Sequence, residues 1–354
     1  MDQQSNQSAL TRYVNQTPSV RFVILAAGTI IILAAIYAAA SFLVPILLSV
    51  LFAVVFWPPL VWLQKRGLSS GLALGLVLLG VVVIILILLG FLWITIGSFG
   101  ESLPEYRAGL ATQLDVLREM LRGMGIQPGQ SQQDGESAVD PGQILTFVIG
   151  ALGQLFSSGF IILFYVIFML VEGTSFQHKL QAAFKNNAYA YDYFSRVTDS
   201  LQYYLVIKTR INLVTGAFIT VALWLVGLDF ALLWGFVAFL LNYVPNFGSI
   251  IAAIPAVILA FIQFGPGIEL LLVIVVYLAV NILVGYWLEP KMMGQGLGLS
   301  ALVVLIAVIF WGWILGPVGL ILSVPITVTL KIFLESYEGS RWLATLLGSE
   351  EEAA

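Results

Sequence analysis

The sequence predicts an all-α polytopic membrane protein, with about six full spans plus two re-entrant or broken helical hairpins arranged as an inverted repeat, eight hydrophobic segments in all. Three observations carry that expectation. Of 354 residues, 60% are hydrophobic and only 10% charged, with a mean hydropathy of +1.00, whereas charged residues make up about a quarter of soluble domains. Several charge-free segments exceed the roughly 20 residues that cross about 30 Å of hydrocarbon, and they are apolar on every side, unlike the alternating strands of a barrel. Two charge-free runs, Phe230 to Ile268 and Met292 to Leu330, are 39 residues apiece. A straight helix of that length reaches about 58 Å, nearly twice the hydrocarbon thickness.

Residues 1–21 are polar and lack the short apolar core of a signal peptide, so they are expected to stay as a cytoplasmic tail. Residues 22–97 read as three spans, at about 22–43, 44–63 and 70–97. Residues 98–143 form an acidic extracytoplasmic stretch in which Leu103, Leu110, Leu114, Leu117, Leu121 and Met124 recur at helical spacing. Such a stripe suits either a membrane surface or the protein's own spans, and the second is favoured. The Gly/Gln/Ser-rich segment after it reads as a linker, and Asp140–Pro141 as the start of a span at 144–171. Residues 172–210 carry Lys179, Lys185, Arg196, Lys208 and Arg210 and read as a cytoplasmic helical connector, which the positive-inside bias supports. Residues 211–335 form the core, with spans at about 211–227 and 270–288, each followed by one long run. Residues 336–354 are a second cytoplasmic tail.

Each long run is broken near its centre, by Pro245, Gly248 and Pro255 in the first and by Gly316, Pro317, Gly319 and Pro325 in the second. Proline removes a donor and clashes with the preceding turn, so each run should fold as two half-length helices joined at membrane depth. Eight plain spans with proline kinks are the competing topology. Run length and the matched positions of the breaks favour hairpins. Backbone loosened inside a membrane is tolerated only where protein or water surrounds it, which is how broken helices build binding sites.

The motifs "KTRINLVTG" (208–216), "LLWGFVAFLLNYVPNFGSIIAAIP" (232–255) and "LEPKMMGQGLGLSALVVLIAVIFWGWILGPVGLILSVPITVTLKIFLE" (288–335) resemble the autoinducer-2 exporter family of bacterial inner-membrane proteins. The "LVPILLSVLFAVVFWPPLVWL" segment, with Pro45 and Pro58, is similar as well. The resemblance implies export of a quorum-sensing furanone or a related small solute, sodium/proton exchange in some relatives, and a homo-oligomer, a pentamer. It also suggests that Glu289 and Lys291 form a gate with a connector residue such as Lys208 or Arg210.

Asp229, Glu269, Glu289 and Lys291 fall at segment ends, and mid-span carboxylates are lacking, which favours a neutral polar solute over a cation. Candidate solute-binding residues are Asn242, Tyr243, Asn246, Ser249, Gln263 and Asn281, with Asn246 and Ser249 foremost because they sit at the break. Helix-to-helix hydrogen bonding is the equal alternative for each. Gly248, Gly294, Gly296, Gly298, Gly316 and Gly319 read as turn and close-approach positions. Trp234, Trp287, Trp311 and Trp313 read as interfacial or packing aromatics, and His178 as solvated. The chain has no cysteine, so disulfides and thiolate chemistry are excluded; no cofactor, metal or nucleic acid is expected. The expected partners are the lipid bilayer, a small-molecule solute and further copies of the chain. An ion-coupled permease and a membrane receptor or scaffold remain the competing functions, whereas an enzyme would need a nucleophile-and-base or metal set that no span supplies.

Overall fold

A computed structural model describes residues 18–123, 150, 159–173, 179, 188–245, 247–293 and 298–349. Among them regular structure is helical; the β pairing is a single antiparallel bridge between Leu299 and Gly348. Five helical stretches are long and apolar enough to cross a membrane: Ala40–Lys65, Ser70–Val116, Ser195–Val226, Ile268–Gly285 and Pro317–Glu335.

Helix α1 (Pro18–Ala38) meets α2 (Ala40–Lys65) at Ala39. The boundary predicted at 43/44 therefore lies four residues earlier. Hydrogen bonds continue through it, from the Ala39 amide to the Ala35 carbonyl and from the Leu43 amide to the Ala39 carbonyl. Helix α3 (Ser70–Gly123) is continuous for 54 residues and contains Pro104, so the span predicted at 70–97 and the amphipathic helix after it are one element. Its second half packs on its own protein, with Phe99, Tyr106 and Leu110 buried in the main core. Helix α4 (Gly159–Gly173) joins α2 and α3 through Leu60, Ala73, Val77, Val166 and Leu170. The linker, Asp140–Pro141 and His178 lie outside the described residues.

Helix α5 (Ala188–Val226) runs unbroken for 39 residues. From Ala188 onward the predicted connector and the span after it are thus a single rod, because no residue between Ala188 and Val226 interrupts the backbone ladder. After a turn at Gly227 (φ +86°), α6 (Ala231–Leu241) doubles back along α5. Phe230 begins α6 in the left-handed region at φ +58°, which disfavours a bulky residue by about 1–2 kcal/mol. Its ring is held 5.4 Å from that of Phe99 and 6.5 Å from that of Tyr106. The α5–α6 crossing is backbone-close: a methyl group on Gly216 would sit 2.7 Å from the Gly235 carbonyl oxygen, and one on Gly235 would sit 1.8 Å from Thr220 Oγ1. Small residues allow this approach where lipid supplies no hydrophobic drive between helices.

The first long run folds as α6, a turn over 242–247 and α7 (Gly248–Phe264); the second as α9 (Ala301–Leu315), Gly316 and α10 (Pro317–Glu335). Helix α8 (Ile268–Ile282) links them, widening into a π-helical segment at Leu283–Leu288 before a last turn at Glu289–Met293. At 1.5 Å per residue the arms measure about 16 Å (α6), 26 Å (α7), 22 Å (α9) and 28 Å (α10). Of the four arms expected to be half-length, α6 alone is, and α10 is long enough to span.

A second correction concerns two of the predicted breakers. Pro255 lies inside α7 and Pro325 inside α10, and neither ends its helix. Each removes one ladder bond, but packing on either side holds the rod together: Ala252 and Ala256 are fully buried around Pro255, and Val324 and Val328 are buried around Pro325. The turns are made by 242–247 and by Gly316–Pro317. Gly316 has φ +68°, and Pro317 occupies the first position of α10, where its missing N–H costs nothing.

The hairpins approach α5 from opposite ends. The first leaves α5 at Gly227 and reaches Asn212 with its tip, fourteen residues back along α5 and therefore about 21 Å deep. In the second, α10 runs antiparallel to α5, with Phe333 beside Tyr193 and with Val324 and Val328 beside Tyr204 and Leu205. Its tip thus points toward the Val226 end. Residues 298–300 and 347–349, on either side of this hairpin, are bonded to each other: the Ser300 amide donates to the Leu347 carbonyl at 3.1 Å and the Ser349 amide to the Gly298 carbonyl at 3.2 Å.

Candidate functional site

Polar side chains concentrate where the first hairpin tip meets α5 and α8. On α5, Lys208, Thr209 and Asn212 occupy one face, at spacings that a 3.6-residue period brings together. Asn212 is fully buried, and its side-chain amide lies 2.8 Å from that of Asn242. Oriented so that each atom finds a partner, the Asn212 amide nitrogen donates to the Lys208 carbonyl at 3.1 Å and its oxygen accepts the Tyr243 backbone N–H at 3.3 Å. Thr209 donates to the Leu205 carbonyl at 2.7 Å, so the Tyr243 hydroxyl, 2.7 Å away, donates to Thr209. On the other side of the tip, Ser249 donates to Asn281 Oδ1 on α8 at 2.9 Å.

One turn from Asn212 toward the N-terminal end of α5, Lys208 is 1% exposed and ion-paired with Glu289 at 2.5 Å. Glu289 follows the π-helical segment directly, an irregularity frequent at functional sites. Lys291 stacks its ammonium 4.8 Å from the Trp287 ring centre, and Arg210 is exposed.

The structure brings together Asn242, Tyr243, Ser249 and Asn281, and beside them Lys208 and Glu289. Asn246 lies outside the described residues, as do Gly294 and Gly296. Gln263 stands apart, at the opposite end of the first hairpin. Its oxygen accepts the Asp229 amide and its nitrogen donates to the Gly227 carbonyl, both at 3.0 Å, so it clamps the α5–α6 and α7–α8 turns together. Asp229, read as an interfacial anchor, accepts the Tyr106 hydroxyl at 2.8 Å and the Trp234 indole on its carbonyl at 3.1 Å. Trp234 is buried, Trp311 donates to Thr327 at 3.2 Å, and Trp287 and Trp313 are exposed.

Sequence reasoning missed Asn212, Thr209 and Lys331. Lys331 is 5% exposed in α10 and donates to the Gly298 carbonyl at 2.8 Å, with Glu335 at 3.5 Å. The signal for Asn212 was present, since an amide on an otherwise apolar helix face asks for a partner. Asn212→Leu removes that partner and strands the buried Asn242 amide. We expect it to lower stability by about 1–2 kcal/mol, read as a reduced midpoint of thermal unfolding, with Asn212→Leu/Asn242→Leu recovering part of the loss.

The site is built to hydrogen-bond: three amides and three hydroxyls meet at the tip, and the Lys208–Glu289 ion pair lies a turn away. Donors and acceptors of this kind match a neutral polar molecule.

Comparison with known proteins identifies the family of the chain. The family model for the AI-2E family transporter matches residues 27–339. The chain is 37% identical over 330 residues to the AI-2 transport protein TqsA of Escherichia coli K12, covering 92% of this chain and 95% of that protein. It is 35% identical over 325 residues to the putative transport protein YhhT of the same organism, covering 91% and 92%. A putative transport protein of Haemophilus influenzae is 37% identical over 333 residues, covering 92% and 95%. A family match from residue 27 to residue 339, with relatives 35–37% identical over nearly the whole chain, leads to one conclusion: this chain belongs to the AI-2E transporter family.

Proposed function

We propose that this protein is a multi-pass bacterial inner-membrane transporter that carries a small neutral polar solute past the tip of its first hairpin. Autoinducer-2, which the TqsA relative is named for, is the first candidate. The supporting observation is the buried to half-buried, charge-free hydrogen-bonding set at the tip: Asn212–Asn242, Thr209–Tyr243 and Ser249–Asn281. Two of the pairs join the tip to α5 and the third joins it to α8. A polyhydroxylated solute can replace such pairs one for one, so binding loosens the tip without stranding a buried polar group.

In this reading the two hairpins form an inverted repeat about α5, both termini face the cytoplasm, and Lys208 with Glu289 gates the N-terminal side of α5. Arg210 and Lys291 flank that gate. Exposed aromatics such as Trp93, Phe160 and Trp224 face lipid or a further copy of the chain in a homo-oligomer.

Everted vesicles with and without the protein, loaded across a gradient of autoinducer-2, test the proposal. Faster equilibration or net accumulation with the protein is expected, and Ser249→Ala together with Asn281→Ala should slow it at least tenfold. Equal distribution under every imposed solute, proton and sodium gradient would remove the substrate assignment.

A further inference from the structure

Among the described residues, two phenol hydroxyls are buried without any hydrogen-bond partner, those of Tyr204 and Tyr277, which are 3% and 5% exposed. The one other such atom, Gln64 Nε2, lies at the end of α2, away from the hairpins. Orphaned buried hydroxyls are rare because the lost water hydrogen bonds are not replaced. Phenylalanine would fill the same space without that penalty, so the hydroxyl needs a reason to be there.

Their positions supply one. Tyr204 lies on α5 one turn N-terminal to Lys208, packed with Val324 and Val328 of the second hairpin. Tyr277 lies on α8 one turn N-terminal to Asn281, in the core shared by α5 and the first hairpin. Because α5 and α8 are antiparallel, one turn N-terminal is opposite in depth on the two helices. Helical side chains also lean toward their own N-terminus, so the two hydroxyls sit on opposite sides of the tip set. Each hairpin therefore packs against a helix that carries one unused donor.

We infer that the hydroxyls of Tyr204 and Tyr277 are hydrogen-bonding subsites for the transported solute, one on each side of the tip, taken up as the adjacent hairpin shifts. This rests on the transport reading and extends it, placing the path along the α5–α8 face and requiring solutes that carry several hydroxyl or carbonyl groups.

Two measurements test it. In proteoliposomes, Tyr204→Phe and Tyr277→Phe should unfold at or above the wild-type temperature yet carry autoinducer-2 about fivefold more slowly each, the effect of one hydrogen bond. A drop in unfolding temperature that tracks the loss of transport would make the hydroxyls structural and overturn the inference, as would wild-type rates in both variants. On this cysteine-free chain, Tyr204→Cys and Tyr277→Cys should react with a small membrane-impermeant maleimide from opposite faces of the membrane, while Ile219→Cys, fully buried in the core that holds Tyr277, stays unlabelled. This second measurement does not depend on the solute. If autoinducer-2 does not move in the wild type but both cysteines label as described, the path stands and only the substrate falls. If neither labels, the path is wrong whatever is transported.

Discussion

Replacing Gly248 or Gly319 with valine is expected to remove most of the folded protein. A methyl group on Gly248 would lie 1.9 Å from the Leu241 carbonyl oxygen, and one on Gly319 would lie 1.9 Å from the Trp311 carbonyl oxygen. Both obstacles are backbone, so no side-chain rotation relieves them. The two arms of the hairpin must separate instead, and their buried faces go with them: Ala238 and Ala252 in the first, Ile314 and Leu322 in the second. Ordinary overpacking of a core costs about 1–3 kcal/mol. A clash with fixed backbone at this distance should exceed the top of that range, more than a hundredfold in the folded-to-unfolded ratio. Size-exclusion profiles and tryptophan-monitored unfolding in detergent are the measurements. Gly316→Ala provides a graded comparison, because Gly316 has open space around it and only its backbone, φ +68° and ψ −153° in a region open to glycine almost alone, to defend, a strain of about 1–3 kcal/mol. Gly80→Ala, in open space within α3, should leave the unfolding temperature at or slightly above that of the wild type. A Gly248→Val protein that unfolds at the wild-type temperature would show that the arms do not cross as closely as described.

These two glycines were legible in the sequence because excess length demanded a turn and small residues marked where it fell. Proline was a poorer guide. Pro245 and Pro317 do sit in turns, but Pro255 and Pro325 stand inside helices, since a proline's effect depends on whether neighbouring packing holds the rod together, and packing is invisible along the chain. The continuity of α3 was hidden for a related reason. Glu101, Glu105 and Arg107 looked like the loop following a span, yet they occupy the outward face of the same helix whose other face buries Phe99, Tyr106 and Leu110. The candidate site was half legible. Residues at the break announced themselves as polar groups in an apolar run, whereas their partners Thr209 and Asn212 lie about thirty residues earlier in a helix of mixed polarity. Gln263 was grouped with the break residues because an amide near a hairpin looks the same in sequence whether it meets solute or ties two turns together.

The buried pair Lys208–Glu289 should show a marked asymmetry between its two single variants. Lys208 is 1% exposed and Glu289 25%. Glu289→Gln leaves an ammonium locked among Tyr204, Leu205 and the tip residues with no anion beside it, and breaking a buried pair from one side costs about 3–5 kcal/mol. Lys208→Met leaves a carboxylate at the rim that can turn to water, so its cost should be smaller, about 1–2 kcal/mol at most. Lys208→Met/Glu289→Gln strands no charge and is expected to recover most of the stability lost by Glu289→Gln alone, because the attraction within a buried pair largely offsets the desolvation of its members. Unfolding midpoints of the four proteins give the coupling energy directly. The gate reading adds a kinetic expectation. With both charges gone α5 loses its tie to the turn Glu289–Met293 that follows the π-helical segment, and the recovered protein should let solute equilibrate without the saturation that a closing gate imposes. Full recovery of stability with saturable wild-type transport would leave the pair as a structural clasp between α5 and α8 and remove it from the transport cycle.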